Sequence, residues 1–245
     1  MKKIFVLVAA ALLALGLVGC SGGSNASSST NGTASATQVA KTTSAPQPLE
    51  LSEACYVTDN GYVYYTVAVQ NPNTDYMADF ATITVTGKDA DGKVAFNDDW
   101  VIGTIMPGTT TYWANQAGHG DVSDDLTIDL SVSVSKSNWK TPKAQMPADL
   151  YTFENTSLET EQFGHLRAAG EVTIADDSLE LGYNGVTQPM IVCVLRDADG
   201  NLVDGFNGYL TGKELVTGQP TAFEISSYHN GPDYETYELH ANPWM

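Results

Sequence analysis

The stretch that decides the fold reads Tyr62-Val63-Tyr64-Tyr65-Thr66-Val67-Ala68-Val69. Apolar residues at its odd positions alternate with Tyr64, Thr66 and Ala68, which is the two-residue period of a β-strand with two different faces. Residues 128–134 alternate in the same way against an aspartate and a row of serines, a pattern that predicts one buried and one wet face. Outside the first twenty residues no amphipathic helix pattern is present. Short strands broken by Asn-Pro, Asp-Gly and Pro-Gly therefore predict an all-β protein of antiparallel β-sandwiches.

One pattern occurs twice in the chain. The sequence Lys88-Asp89-Ala90-Asp91-Gly92-Lys93-Val94 recurs as Arg196-Asp197-Ala198-Asp199-Gly200-Asn201-Leu202. Each copy follows an apolar β-type run, and each repeat ends on a tryptophan, Trp139 in the first and Trp244 in the second. A spacing of roughly a hundred residues is typical of domains. We therefore predict two tandem sandwiches at 49–140 and 151–245, joined by a proline-containing linker at 141–150.

The first repeat resembles the FxLYD-type domain, a small immunoglobulin-like β-sandwich of bacterial envelope lipoproteins. The stretches that carry the resemblance are Val69-Gln70-Asn71-Pro72-Asn73, Phe80–Val85, Asp89–Lys93 and Pro107-Gly108. The resemblance covers Leu51 to Trp139 and, more loosely, Glu161 to Trp244. It departs from the family after Phe80, where no Leu-Tyr-Asp follows. It implies tandem immunoglobulin-like sandwiches outside the cytoplasm and supplies no catalytic residues.

Residues 1–19 have the form of a lipoprotein signal peptide. Two lysines precede an apolar stretch that is long enough for a signal core but short for a membrane-spanning helix. The stretch ends in Leu17, Val18 and Gly19, which resemble the lipobox, and this implies cleavage before Cys20 and lipidation of its thiol. Residues 20–48 then continue with Ser, Gly, Thr and Ala and no aromatic residue, the composition of a disordered tether. We therefore expect the protein to be held on the extracytoplasmic face of the cell membrane by lipid on Cys20.

The amino-acid composition limits the classes of molecule that the protein can bind. The chain has 29 acidic and 11 basic residues and a net charge of −18, which excludes nucleic acid as a direct partner. Acidity attracts cations or basic proteins, or it simply keeps a surface protein soluble. Besides Cys20, the chain has Cys55 and Cys193, which lie in apolar strand contexts of different predicted domains. We expect two separately buried thiols, with a disulfide as the alternative.

The acidic turns invite a calcium interpretation, but both Asp-Ala-Asp-Gly turns lack the spacing of an EF-hand loop and predict β-hairpins instead. Asp121, Asp124 and Asp125 are weak candidates for a surface cation site, with solvated loop acids as the alternative. We predict no cofactor, because the four histidines show no pair at metal-ligand spacing. Ser133 and Lys136 fit a Ser-x-x-Lys pattern in strand context, whereas that chemistry needs the serine at the start of a helix. We therefore do not expect an enzyme, and a hydrolase with a dispersed site is the remote alternative.

Four aromatic residues are candidates for ligand binding: Tyr62, Tyr64, Trp100 and Trp113. Neighbouring rings on a strand point to opposite faces, so one member of each such set is expected in the core and the other at the surface. Exposed rings stack on sugars or anchor a protein partner. The sequence favours a non-enzymatic protein-interaction or envelope-assembly module. The alternative is a protein that binds carbohydrate or cell-wall polymer through these rings.

Overall fold

The first repeat folds into two antiparallel three-stranded sheets, one ordered β1-β2-β6 and the other β5-β4-β7, and a two-stranded pair of β3 and β8. The computed structural model describes residues 44–181, 185–210, 212 and 214–243. The strands of this repeat are β1 (Glu50–Asp59), β2 (Tyr62–Gln70), β3 (Met77–Ala78), β4 (Ala81–Lys88), β5 (Val94–Ile102), β6 (Thr110–Ala117), β7 (Thr127–Ser133) and β8 (Trp139–Lys140).

The second repeat has the same sheet topology. Its strands are β9 (Tyr151–Thr160), β10 (Leu166–Ile174), β11 (Pro189–Arg196), β12 (Leu202–Tyr209), β13 (Thr221–Ser226) and β14 (Thr236–Pro243). The sheet β9-β10-β13 corresponds to β1-β2-β6, and the sheet β12-β11-β14 corresponds to β5-β4-β7. The all-β, antiparallel fold class is thus confirmed. Among the described residues no helix is long and apolar enough to cross a membrane.

The Asp-Gly turns of the two repeats have matching geometry. Asp89 Oδ1 accepts hydrogen bonds from the backbone N–H groups of Asp91 at 3.0 Å and Lys93 at 2.8 Å. Asp197 Oδ1 accepts from the equivalent two N–H groups at the same distances. Each carboxylate therefore closes a hairpin turn, as the sequence predicts, and its oxygen is engaged by the backbone.

The two sandwiches pack against each other through their sheets. The outer face of β1-β2-β6 contacts β12-β11-β14, so that the four sheets stack in the order β5-β4-β7, β1-β2-β6, β12-β11-β14 and β9-β10-β13. Met190, Val192 and Val194 on one face of β11 join the core of the first sandwich. Ile191 and Cys193 on its other face join the core of the second. The described residues from Pro46 onward accordingly form one compact unit.

Close backbone approach and polar bridges complete this interface. A Cβ on Gly205 would lie 2.9 Å from Thr66 Oγ1, so only glycine permits β12 to approach β2 this closely. Asn242 Nδ2 donates to the carbonyl oxygen of Tyr112 at 2.6 Å, and Asn207 Nδ2 donates to that of Ala114. Two amides of the second sandwich thus bind backbone acceptors of β6, which is an edge strand.

Arg196 bridges the sandwiches on the same interface. Its Nη2 lies 3.0 Å from Glu53 Oε2 in the first sandwich, and its Nε lies 2.7 Å from Glu238 Oε1 in the second. The same Nη2 donates to the Tyr112 hydroxyl at 3.0 Å. Hydrogen bonds to Glu53 raise the pKa of Arg196 further above its ordinary value, against the effect of burial. The guanidinium therefore stays charged and joins the two sandwiches at one point.

The two core cysteines are both buried and free, as expected. Burial raises the pKa of Cys55 well above its ordinary value, and it does the same to the pKa of Cys193. A thiol that is buried and held protonated is a poor nucleophile and a poor metal ligand. These two residues therefore act as packing groups.

Candidate functional site

A cleft of about 440 Å³ opens at the junction of the two sandwiches. The aromatic cleft, as we call it, is defined by five rings: Tyr64, Trp100, Phe206, Tyr228 and His229. The first two rings come from β2 and β5 of the first sandwich, and the other three from β12 and the segment after β13 of the second. The site consequently exists only when both sandwiches are in contact.

A stacked pair forms one side of the aromatic cleft. The rings of Tyr64 and His229 are 4.0 Å apart and inclined by 15°. Nε2 of His229 lies 2.9 Å from Oδ2 of Asp204, and both of these side chains are 2% exposed. The carboxylate orients the imidazole, and the imidazole in turn supports the tyrosine ring across the sandwich interface.

Two of the other three rings are exposed to solvent. Trp100 is 42% exposed at the edge strand β5, and Tyr228 is 76% exposed. Phe206 is 5% exposed and contributes to the base of the cleft. Large apolar rings that remain exposed beside a concave surface are typical of binding sites, because burying them on a ligand is favourable.

Amide side chains supply the polar groups of the aromatic cleft: Asn115 and Gln116 on β6, and Asn207 on β12. None of the described residues that line it is Asp, Glu, Lys or Arg, although the chain has 29 acidic residues. A surface of ring faces and neutral amides can stack on a ligand and exchange hydrogen bonds with its hydroxyl or amide groups.

The His229–Asp204 pair is almost fully buried, and a serine beside it is hydrogen-bonded to the backbone. The nearby Ser227 hydroxyl donates to the carbonyl oxygen of His229 at 3.0 Å and accepts from the N–H of Leu166 at 2.8 Å. That hydroxyl is therefore committed to backbone groups. The histidine, the acid and the serine position the segment that carries Tyr228.

The structure brings two of the four candidate aromatics together. Tyr64 and Trp100 line the aromatic cleft, and Tyr62 is half-buried with its ring 6.3 Å from that of Tyr64. The prediction that Trp113 is a ligand-binding aromatic is wrong, because its side chain is 1% exposed and packs in the core of the first sandwich. Of the neighbouring rings on β6, Tyr112 is the more accessible.

The remaining candidates fall outside the cleft. Asp121, Asp124 and Asp125 are exposed, and in the described part of the chain no three His, Cys, Asp or Glu side chains converge to hold a metal ion. The three aspartates therefore do not converge into a group of this kind. Leu17, Val18, Gly19 and Cys20 lie outside the described residues.

The sequence analysis missed Phe206, Asn207, Tyr228 and His229. Tyr228 and His229 follow the end of β13 in a segment without strand periodicity, and exposed aromatics in loops are a general hint of binding. The other two residues carry no local signal, because their role depends on the packing of one sandwich on the other.

No model of a known protein family matches the chain, and no curated protein matches it either.

Proposed function

We propose that this protein is a lipid-anchored, extracytoplasmic carbohydrate-binding protein without catalytic activity, and that the aromatic cleft is its site for a neutral sugar. The observation that carries the proposal is the combination of exposed rings and neutral amides in a concave surface free of charged residues. Its volume of about 440 Å³ lies within the range of sites for small organic ligands.

The ligand class follows from the lining. A pyranose presents an apolar face of C–H groups and an equatorial ring of hydroxyls. Trp100 and Tyr228 provide flat apolar faces for the first, and Asn115 and Gln116 provide donors and acceptors for the second. A net charge of −18 repels anionic polymers, so an uncharged glycan fits better than an acidic one.

The expected location outside the cytoplasm is compatible with a glycan ligand. Lipid on Cys20 would hold the chain at the membrane, and the tether of about 28 residues that the sequence predicts would give the cleft a reach of roughly 30 Å. The cleft would thus sample the glycans that surround the cell. Incorporation of a fatty-acid analogue into the wild type, and not into Cys20→Ser, tests the anchor separately from the ligand.

A protein-interaction module in envelope assembly is the second candidate. It is favoured by Tyr228, which is 76% exposed, because tyrosine and tryptophan are also the residues that dominate protein–protein hot spots. The FxLYD-type resemblance of the first repeat is compatible with either candidate.

The test uses the mature chain with Cys20→Ser, titrated calorimetrically with cello- and chito-oligosaccharides. Trp100→Ala and Tyr228→Ala should each weaken binding at least tenfold, since a stacked ring contributes about 1.5 kcal/mol. Val94→Ala is the matched control, because Val94 is exposed on the same strand as Trp100 and does not line the cleft. Failure of every neutral oligosaccharide to bind would overturn the proposal. Trp100-dependent capture of a membrane protein would then favour the second candidate.

A further inference from the structure

Phe163 occupies an unusual conformation at the tip of the turn that joins β9 to β10. Its φ is 71° and its ψ is 11°, in the left-handed region that bulky residues avoid. Its side chain is 80% exposed. The turn thus holds a large apolar ring in water at a conformational cost, and burial of the ring against the protein offsets little of that cost.

The turn with Phe163 lies beside the segment that carries Tyr228. Leu166 and Ser227 are joined by two hydrogen bonds of 2.8 Å, one from Leu166 N to Ser227 Oγ and one from Ser227 N to Leu166 O. Gly164 packs so closely on Asn230 that a Cβ would lie 2.7 Å from its Oδ1. The two exposed rings therefore lie on adjacent loops at one end of the second sandwich.

Polar and charge-paired groups surround the turn. Glu161 lies 3.1 Å from the Nε of Arg167, and the same guanidinium contacts Glu159 at 2.8 Å and Glu224 at 2.9 Å. Phe163 is therefore an exposed ring on a turn next to a cluster of one arginine and three glutamates. Such a ring suits stacking on one face of a sugar better than burial in an apolar protein interface.

We propose that Phe163 is a second contact point for the same neutral glycan, reached by a chain that leaves the aromatic cleft past Tyr228. The inference rests on the proposed function and adds to it that the ligand is a polymer longer than the cleft. The positive φ of Phe163 has a physical explanation if the ring is stabilised only when a ligand covers it. The hydrogen bonds between Leu166 and Ser227 hold the loops that carry Phe163 and Tyr228 next to each other.

The experiment compares short and long oligosaccharides on the mature Cys20→Ser chain. Phe163→Gly should leave the affinity for a disaccharide unchanged within about twofold and weaken the affinity for a hexasaccharide about tenfold, the loss of one stacked ring. Phe163→Tyr keeps a ring and should keep hexasaccharide binding. Glycine also relieves the positive φ, so the melting temperature of Phe163→Gly should rise by roughly 2–4 °C. A loss of binding in a stabilised variant separates a contact role from a structural one.

Two outcomes overturn the inference, and they are distinguishable. If the wild type binds hexasaccharide, Trp100→Ala abolishes that binding and Phe163→Gly does not alter it, the second contact point is wrong while the cleft stands. If the wild type binds no neutral oligosaccharide of either length, the proposed function falls together with this inference.

Discussion

Replacing Val192 by threonine tests the packing of the two sandwiches. Val192 lies in the middle of β11, is 0% exposed and belongs to the core of the first sandwich although its strand belongs to the second. Threonine has nearly the same shape and a higher strand propensity than most polar residues. The change therefore alters the polarity of the interface and little else.

The magnitude follows from two contributions. Removing one buried methyl group costs about 0.8 kcal/mol. Burying a hydroxyl among Met190, Val194 and the facing sheet adds about 1–3 kcal/mol when the hydroxyl lacks a good acceptor. We expect Val192→Thr to lower the free energy of unfolding by about 2–4 kcal/mol, which corresponds to a fall in melting temperature of about 4–16 °C for a protein of this size.

The first sandwich provides the matched control. Thr84 occupies the equivalent place on β4, where it faces solvent and its Oγ1 donates to Asp99 Oδ1 at 2.6 Å. Thr84→Val should change the free energy of unfolding by no more than about 0.5 kcal/mol. Urea unfolding followed by far-UV circular dichroism and by tryptophan fluorescence measures both variants. Three of the four tryptophans lie in the first sandwich, namely Trp100, Trp113 and Trp139. Fluorescence therefore reports mainly on the first sandwich, whereas the substitution is made in the second.

Comparing circular dichroism with fluorescence shows whether the two sandwiches unfold as one cooperative unit or as two. We expect a single transition in which both probes move by the same amount in Val192→Thr. If fluorescence keeps the wild-type midpoint while circular dichroism shows a separate earlier transition, the sandwiches unfold independently and the described interface contributes little to stability.

Three further predictions concern other features. Burial lowers the pKa of His240 despite its hydrogen bond to Glu238, so the unfolded chain binds that proton more readily. The melting temperature should fall between pH 7 and about 5.5, and fall less in His240→Gln, as measured by scanning calorimetry. Cys55 and Cys193 should react with Ellman's reagent in the Cys20→Ser chain only after denaturation, and rapid reaction of either thiol in the native state would contradict their burial. Asp89→Ala and Asp197→Ala should lower the melting temperature by similar amounts, and Ca²⁺ should not alter that of the wild type, because each carboxylate closes a turn.

The strand class and the turns could be predicted because their signals are local. Period-two alternation predicts that β2 is a strand, and Asp-Gly predicts where a hairpin turns. The wet face that alternation predicts for β2 is wrong, because Tyr64, Thr66 and Ala68 on that face are buried as well. The choice between Tyr112 and Trp113 also depends on alternation, but it requires knowing which parity faces inward. Trp113 is the inward residue, a fact that depends on the register of β6 against β2.

The interface between the sandwiches is indicated in the sequence by a difference between two equivalent strands. In aligned positions, β4 has Thr82, Thr84 and Thr86 on its outer face, whereas β11 has Met190, Val192 and Val194. A strand that is apolar on both faces needs a layer on each side. The pattern alone does not show which sheet forms the second layer. The residues that line the aromatic cleft depend on which sheet it is.

The stack ends where the outer faces become polar. On β5-β4-β7, Thr86 Oγ1 and Asn97 Oδ1 are 2.8 Å apart in a cross-strand ladder of exposed side chains. On β9-β10-β13, Arg167 spans Glu159 and Glu224 across three strands. Among the outer faces of the described sheets, those of β1-β2-β6 and β12-β11-β14 pack against each other. The two sandwiches have the same topology, but the faces through which they associate are not equivalent. The aromatic cleft lies along the edge of that junction, with β6 on one side and β12 on the other. Residues of both sandwiches line the cleft, so the site depends on how the two sandwiches pack against each other.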